Sequence, residues 1–381
     1  MTERSVEVEP APPKPPPEGG AGQGVGVGLL RIVASLAVPI VAFALLAWSF
    51  NFLKDQNASK LLVVIVALVV GVFGVFALYW GMDLLIKLLP EHVGSRIRPF
   101  AFVGPALVIL TIFLVYPAVN TIWLSFRGPH GDTFVGVDNY AFVFSSAEML
   151  RAIRNTLGWV IVVPVVATAI GLGFAVLADK LKRTEAFSKS MIFLPMAVSF
   201  VGAAIVWRFV YNFRPEGFGE QIGLLNGFMV SVGANPVPWL QQQPWNNLML
   251  MVIMIWMQTG FAMVILSSAI KAVPTDIIEA ARIDGAGEVQ VFWRVIVPNI
   301  MSTIVVVLTT MVINVLKIFD IVFVMTGGQF GTEIVAQEMI KQFFTLRQWG
   351  HGAAIAVFMF IAVIPVMILN VRRFREEEAI R

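Results

Sequence analysis

The chain has 381 residues, 58% of them hydrophobic and only 13% charged, with a formal net charge of +3 and no cysteine. Soluble domains are roughly 45–50% apolar and about 25% charged, so one water-soluble core is excluded, and the missing cysteines exclude disulfides, thiolate metal sites and a cysteine nucleophile. Lys and Arg lie between apolar runs instead of along a stripe with interleaved aromatics, which argues against nucleic acid, and His92, His130 and His351 stand far apart in polar connections, which argues against a metal site.

Residues 1–28 hold Pro10, Pro12, Pro13, Pro15, Pro16 and Pro17 and then a glycine-rich stretch, with almost nothing apolar, and are expected to be disordered. Glu3, Glu7, Glu9 and Glu18 precede the first apolar run where a signal peptide would be basic, so that run is expected to stay as a membrane anchor. Apolar runs at 30–53, 61–89, 99–126, 155–178, 190–213, 247–270, 299–325 and 350–371 are each long enough to cross a bilayer and predict an all-α, polytopic membrane protein with eight transmembrane helices. Arg96 and Arg98, Lys180 to Lys189, Lys271 to Arg294, and Arg372 to Arg375 fall on alternate connections, which predicts that these face the cytoplasm together with both termini. The outward connections are then 127–153, 214–246 and 326–349, with Trp239, Trp245 and Trp349 near the interface. A basic linker separates an N-terminal hairpin with that linker, 29–98, from a core at 99–371, and 372–381 form a charged cytoplasmic tail.

The connection between the sixth and seventh runs, KAVPTDIIEAARIDGAGEVQVFWRVIVPNI at 271–300, is more than a joint. Asp276 and Glu279 are spaced as a capping box, Ile277, Ile278, Ala281 and Ile283 predict an apolar face, and Gly285 and Gly287 end the helix. A second apolar run ends at Pro298, expected in the first turn of the next spanning helix. An amphipathic elbow of this kind could dock on a partner or pack against its own protein.

Glu279-Ala280-Ala281, three residues, Gly285, nine residues and Val295-Ile296-Val297-Pro298 resemble the EAA signature of permease subunits of binding-protein-dependent ABC importers. Val295 and Val297 stand where the family pattern has Ile and Leu. The resemblance runs from Pro99 to the C-terminus and is similar to the carbohydrate permeases of the maltose-permease group, in particular alpha-glucoside permeases, through FLPMAVSFVGAAIVWRFVYN, WMQTGFAMVILSSAIKAVP and FDIVFVMTGG. It implies a six-helix permease core in the bacterial cytoplasmic (inner) membrane, surrounded by lipid. The implied partners are a second permease subunit, a cytoplasmic ATPase dimer and an extracytoplasmic sugar-binding protein. It also implies that the chain binds no cofactor, ATP and Mg being used by the ATPase, and that Glu279, Ala280, Ala281, Asp284, Gly285 and Pro298 form the coupling elbow.

Polar residues inside spanning helices tend to face a cavity or a neighbouring helix. Gln258 and Thr259 lie beside Trp256, Met257 and Phe261 in the sixth run, a mixture suited to sugar, although the two polar residues could equally join helices. The resemblance points to Met254, Met257, Gln258 and Phe261 for sugar contacts, at positions where the maltose permease carries other residues. In the seventh run Asn314, Lys317 and Asp320 recur every third residue as on one helical face; Asn314 is a ligand candidate with Lys317 beside it, Lys317 and Asp320 could pair, and Ser199 in the fifth run is a further candidate.

A secondary transporter or channel for small polar solutes is the alternative. Such a protein usually needs an ion path, whereas Asp83 and Lys87, near one end of the second run, could simply pair. No phosphate loop, H-E-x-x-H pair or Ser-His-Asp grouping suggests an enzyme.

Overall fold

The computed structural model describes residues 40–380, apart from 42, 43, 46, 50, 55–58, 88 and 182. The expected tail at 1–28 and much of the first predicted span lie outside them. The described residues are helical, with no strand among them and one isolated bridge between Arg127 and Phe134. Five helices are long and apolar enough to cross a membrane: α1 (Lys60–Ile86), α2 (His92–Leu124), α4 (Ala147–Asp179), α8 (Trp245–Lys271) and the apolar part, Trp349–Ile368, of α14 (Trp349–Ile380). Two bent pairs raise this to seven if each is one span. The described residues thus bear out an all-helical membrane protein but do not establish eight spans.

Those pairs are where the structure departs from the sequence reading. The fifth apolar run is no single helix: α5 (Glu185–Ala197) closes in a tight turn containing Pro195, the chain runs extended through Val198 and Ser199, and α6 (Phe200–Val210) leaves at 100°. Proline cannot donate the hydrogen bond that a continuing helix needs, and Ser199 restarts the ladder by accepting from the Gly202 N–H at 3.0 Å. The seventh run is also divided: α10 (Glu288–Asn299) turns 68° into α11 (Met301–Leu316), which stops before α12 (Asp320–Met325). Pro298 therefore belongs to the short helix before the break and not to the first turn of the spanning helix, which starts at Met301.

Contacts divide the chain into Met1–Tyr116 and Pro117–Arg381. In the first unit Asp83 pairs with Lys87 at 2.6 Å, as expected, and also with Arg98 at 3.1 Å. In the second, α8 is the central element, buried over 56% of its apolar window and packed on α4, α5, α11 and α12. Small residues allow these crossings: a Cβ at Gly260 would stand 2.5 Å from the Ile192 carbonyl oxygen, and one at Gly171 2.5 Å from the Ala262 Cβ. One apolar core joins Trp159, Ile253, Met254, Ile321 and Val322, and another joins Ala167, Met263, Leu266, Val307 and Met311.

Polar side chains close the bundle's ends. Asn226, fully buried in α7 (Leu224–Ser231), donates to the carbonyls of Asn212 and Val237 and accepts from the Val237 N–H and the Trp239 indole. Asn155 of α4 donates to the Gly331 and Glu333 carbonyls at 2.8 Å each. Near the other end of α4, Glu185 is shared by Lys189 and Lys271, Lys189 also donates to the Ser267 hydroxyl, and Lys271 reaches Asp179 at 3.4 Å. His351 is not in a polar connection but within α14, its ring stacked on Phe142 at 4.0 Å.

Candidate functional site

Two breaks in the helical ladder, the α5–α6 turn and the gap between α11 and α12, border one cavity; the 68° bend at Ile300 does not. Where a helix stops, N–H and C=O groups lose their intrahelical partners, and inside an apolar bundle such backbone is tolerated where it faces other protein or an aqueous space. The cavity is about 380 Å³ and takes Met196, Val198, Ser199 and Phe200 from the first break, Met257 and Gln258 from α8, and Asn314, Lys317, Ile318 and Asp320 from the second. Ser199, Met257, Gln258, Asn314 and Lys317 are thus brought together from three separate segments.

Gln258 is the least satisfied of them. Its side chain is 4% exposed, and its amide nitrogen has no hydrogen-bond partner. A buried donor without a partner costs about 1–3 kcal/mol, so the position asks for an acceptor from whatever fills the cavity. Thr259, next in sequence, is satisfied by the Ile255 carbonyl of its own helix at 2.7 Å. Only Gln258 of the two is open to a ligand.

Two other sequence candidates lie elsewhere. Met254 is fully buried in the core with Trp159 and Ile253, and Phe261 packs against the second core, with Met263 and Leu266; neither lines the cavity. Asn314, Lys317 and Asp320 do not share a helical face, because α11 ends at Leu316 and α12 begins only at Asp320; they meet at the cavity across the gap at 317–319. Among the described residues no ion pair joins Lys317 to Asp320, so the suggested pairing is absent. Met196, Val198, Phe200 and Ile318 were not anticipated. Pro195, inside an otherwise continuous apolar run, was the available signal for Met196, Val198 and Phe200.

The elbow is a separate feature. Helix α9 (Thr275–Ile283) starts after Pro274 with no side-chain cap, so Asp276 and Glu279 do not form the expected capping box. It ends as foreseen: Gly285 has φ +84°, a conformation that a Cβ disfavours, and the Gly287 N–H that opens α10 is held by the Gln290 side chain at 3.0 Å. Arg282 and Glu288 pair across this turn through two hydrogen bonds, at 2.8 and 3.1 Å. The hydrogen bond to Glu288 raises the Arg282 pKa above its ordinary value, with Glu279 adding a smaller attraction.

Glu279, Ala280, Asp284, Gly285 and Pro298 are exposed and Ala281 is half-buried. The apolar residues of α9 do not form one buried face. Ile278 packs inward on the second core, whereas Ile283 is 85% exposed. Val289 and Trp293 beyond the turn are also exposed, so the elbow presents apolar surface that its own chain does not cover.

The sequence model of the binding-protein-dependent transport system inner membrane component family matches residues 167–373, which contain the cavity and the elbow. An osmoprotective compounds uptake permease protein of Synechocystis sp. is 53% identical over 280 residues, covering 74% of this chain and 100% of the relative. An alpha-glucoside transport system permease protein of Rhizobium meliloti is 43% identical over 333 residues, 84% of this chain and 98% of the relative. Among solved structures, a bacterial ABC transporter involved in the import of the acidic polysaccharide alginate has a chain that superposes with a TM-score of 0.65 at 21% identity, over 75% of this chain and 99% of that one, a likeness of fold. Cavity, elbow signature and relatives agree: the chain belongs to the family of binding-protein-dependent transport system inner membrane components.

Proposed function

We propose that this permease passes a sugar, glucoside or similar polyhydroxyl solute through the cavity at the two helix breaks, and that its exposed elbow seats on a cytoplasmic ATPase. Family membership sets aside the secondary transporter or channel and makes the chain a transport subunit, not an enzyme. The carrying observation is the buried Gln258 amide without a partner, lining a cavity with Ser199 and Asn314. A polyhydroxyl solute offers acceptors to Gln258 and both donors and acceptors to Asn314 and Ser199, while Met196, Met257 and Phe200 supply apolar contact for the faces of a ring. The names of the two relatives, an alpha-glucoside permease and an osmoprotectant permease, support that solute class.

For the elbow, the support is exposed apolar surface next to Glu279 and a turn pinned by Arg282 and Glu288. Glu279, Ala280, Ala281, Asp284 and Gly285 would contact the ATPase, with Pro298 shaping the way into the next helix. ATP and Mg belong to that partner. A second permease subunit completes the passage, an extracytoplasmic binding protein delivers the solute, and both chain termini face the cytoplasm, as the distribution of Lys and Arg suggests.

The test is substrate-stimulated ATPase activity of the reconstituted complex with its binding protein, against neutral glucosides, polyols, amino acids and acidic sugars. Stimulation by neutral glucosides or polyols is expected. Stimulation confined to amino acids or acidic sugars would overturn the solute class.

A further inference from the structure

We propose that the cavity between the end of α1 and the start of α2 binds the phosphate headgroup of an anionic phospholipid, gripped by Lys87 and Arg98 with His92 and Ser95 beside them. This cavity, of about 650 Å³, lies in the first unit, and Ile86, Lys87, His92, Gly94, Ser95 and Arg98 line it together with Leu89. It stands where the apolar α1 ends and the apolar α2 begins, which is the level at which a spanning hairpin meets headgroups.

The two helices graded in polarity make the site. Tyr79 and Phe102, one from each helix, stack at 5.7 Å with 7° between their rings and close the seam on its membrane side. One turn further out Asp83 takes Lys87 on one carboxylate oxygen and Arg98 on the other. Beyond these come His92, Gly94 and Ser95. A Cβ at Gly94 would stand 3.2 Å from the Ile86 carbonyl oxygen, so glycine lets α2 begin close against the end of α1.

Among the described side chains, the charge balance favours an anion. Two cations share one carboxylate, and Arg98 uses a single nitrogen toward Asp83, leaving most of its N–H donors and those of Lys87 available. Asp83 fixes both side chains at one height without neutralising both. No residue in the apolar window of either helix is buried, so acyl chains have uncovered surface alongside the headgroup. Basic pockets between spanning helices are a general means of holding phosphate headgroups. Free phosphate offers the same oxygens without the acyl chains.

The test uses the intact transporter complex in nanodiscs of phosphatidylglycerol and phosphatidylcholine, released into native mass spectrometry, with and without millimolar inorganic phosphate. Wild type should retain phosphatidylglycerol over phosphatidylcholine, phosphate should not displace it, and Lys87→Gln with Arg98→Gln should lower that preference about tenfold, the scale of losing one or two basic contacts. Asp83→Asn, which removes the competing carboxylate, should raise the preference. A photoactivatable phosphatidylglycerol on wild type should give adducts between residues 79 and 102, a readout that needs no variant. Equal retention of both lipids by wild type, an unchanged preference in the double variant, or adducts only elsewhere would overturn the site. Displacement by inorganic phosphate would leave a free-anion site and overturn the lipid assignment.

Discussion

Gln258 and Gly260, two residues apart on α8, are under opposite constraints. Leucine at 258 removes a buried amide nitrogen that has no partner in the protein, so Gln258→Leu should leave the amount of folded complex unchanged or higher. Loss of a hydrogen bond worth about 0.5–1.5 kcal/mol should lower uptake roughly 2- to 12-fold, measured as initial rate in proteoliposomes, and Asn314→Ala should fall in the same range. A drop in folded yield with unchanged uptake per complex would show Gln258 to be structural. Gly260→Ala would place a Cβ 2.5 Å from the Ile192 carbonyl oxygen. Because backbone on α5 must then move, we expect about 1–3 kcal/mol of destabilisation, seen as a lower melting temperature in detergent. Phe261→Ala should likewise act on stability and not on solute preference, since the ring packs on the second core.

At the scale of elements, the elbow is a helix, a turn and a helix held by Arg282 and Glu288, with Gly285 at the hinge. Gly285→Val demands a positive φ of a β-branched residue, so the turn should open while the spanning helices, closed by their own hydrogen bonds, remain. We expect Gly285→Val and Glu279→Lys to leave solute delivery by the binding protein intact and to abolish most substrate-stimulated ATPase activity. Full stimulation in both variants would remove the elbow from the coupling path. The sequence showed the turn through two glycines, but not the missing cap: Pro274 supplies the start of α9, and Asp276 is left exposed.

For the whole molecule, the absence of cysteine permits single-cysteine labelling without background. His130→Cys and Phe344→Cys should react from outside, and Arg183→Cys and Asp276→Cys only from inside; all four positions are exposed. The reverse pattern would invert the orientation read from Lys and Arg. How many times the chain crosses depends on whether α5–α6 and α10–α11 each act as one bent span, and the same labels settle it. If α5–α6 is one span, it and α8 leave Arg183 and Asp276 on one side, and if α10–α11 is one span, it puts Phe344 opposite Asp276.

The membrane class, the approximate positions of the five long apolar helices and the elbow signature were determined by the sequence itself, because run length, helix breakers and a spaced motif are local properties. The cavity was decided only by tertiary structure. Met254 and Met257 lie one turn apart on α8 and share one core, yet only Met257 also lines the cavity. A helix buried on most sides carries little periodic contrast to tell those faces apart. Likewise Ser199 and Asn314, 115 residues apart in number, meet because two helices break beside a third. Three-residue spacing suggested one face for Asn314, Lys317 and Asp320, but the ladder stops at Leu316 and resumes at Asp320, and that gap supplies their convergence. Such breaks are set by which backbone groups can find partners in the packed bundle, and those partners lie far away along the chain.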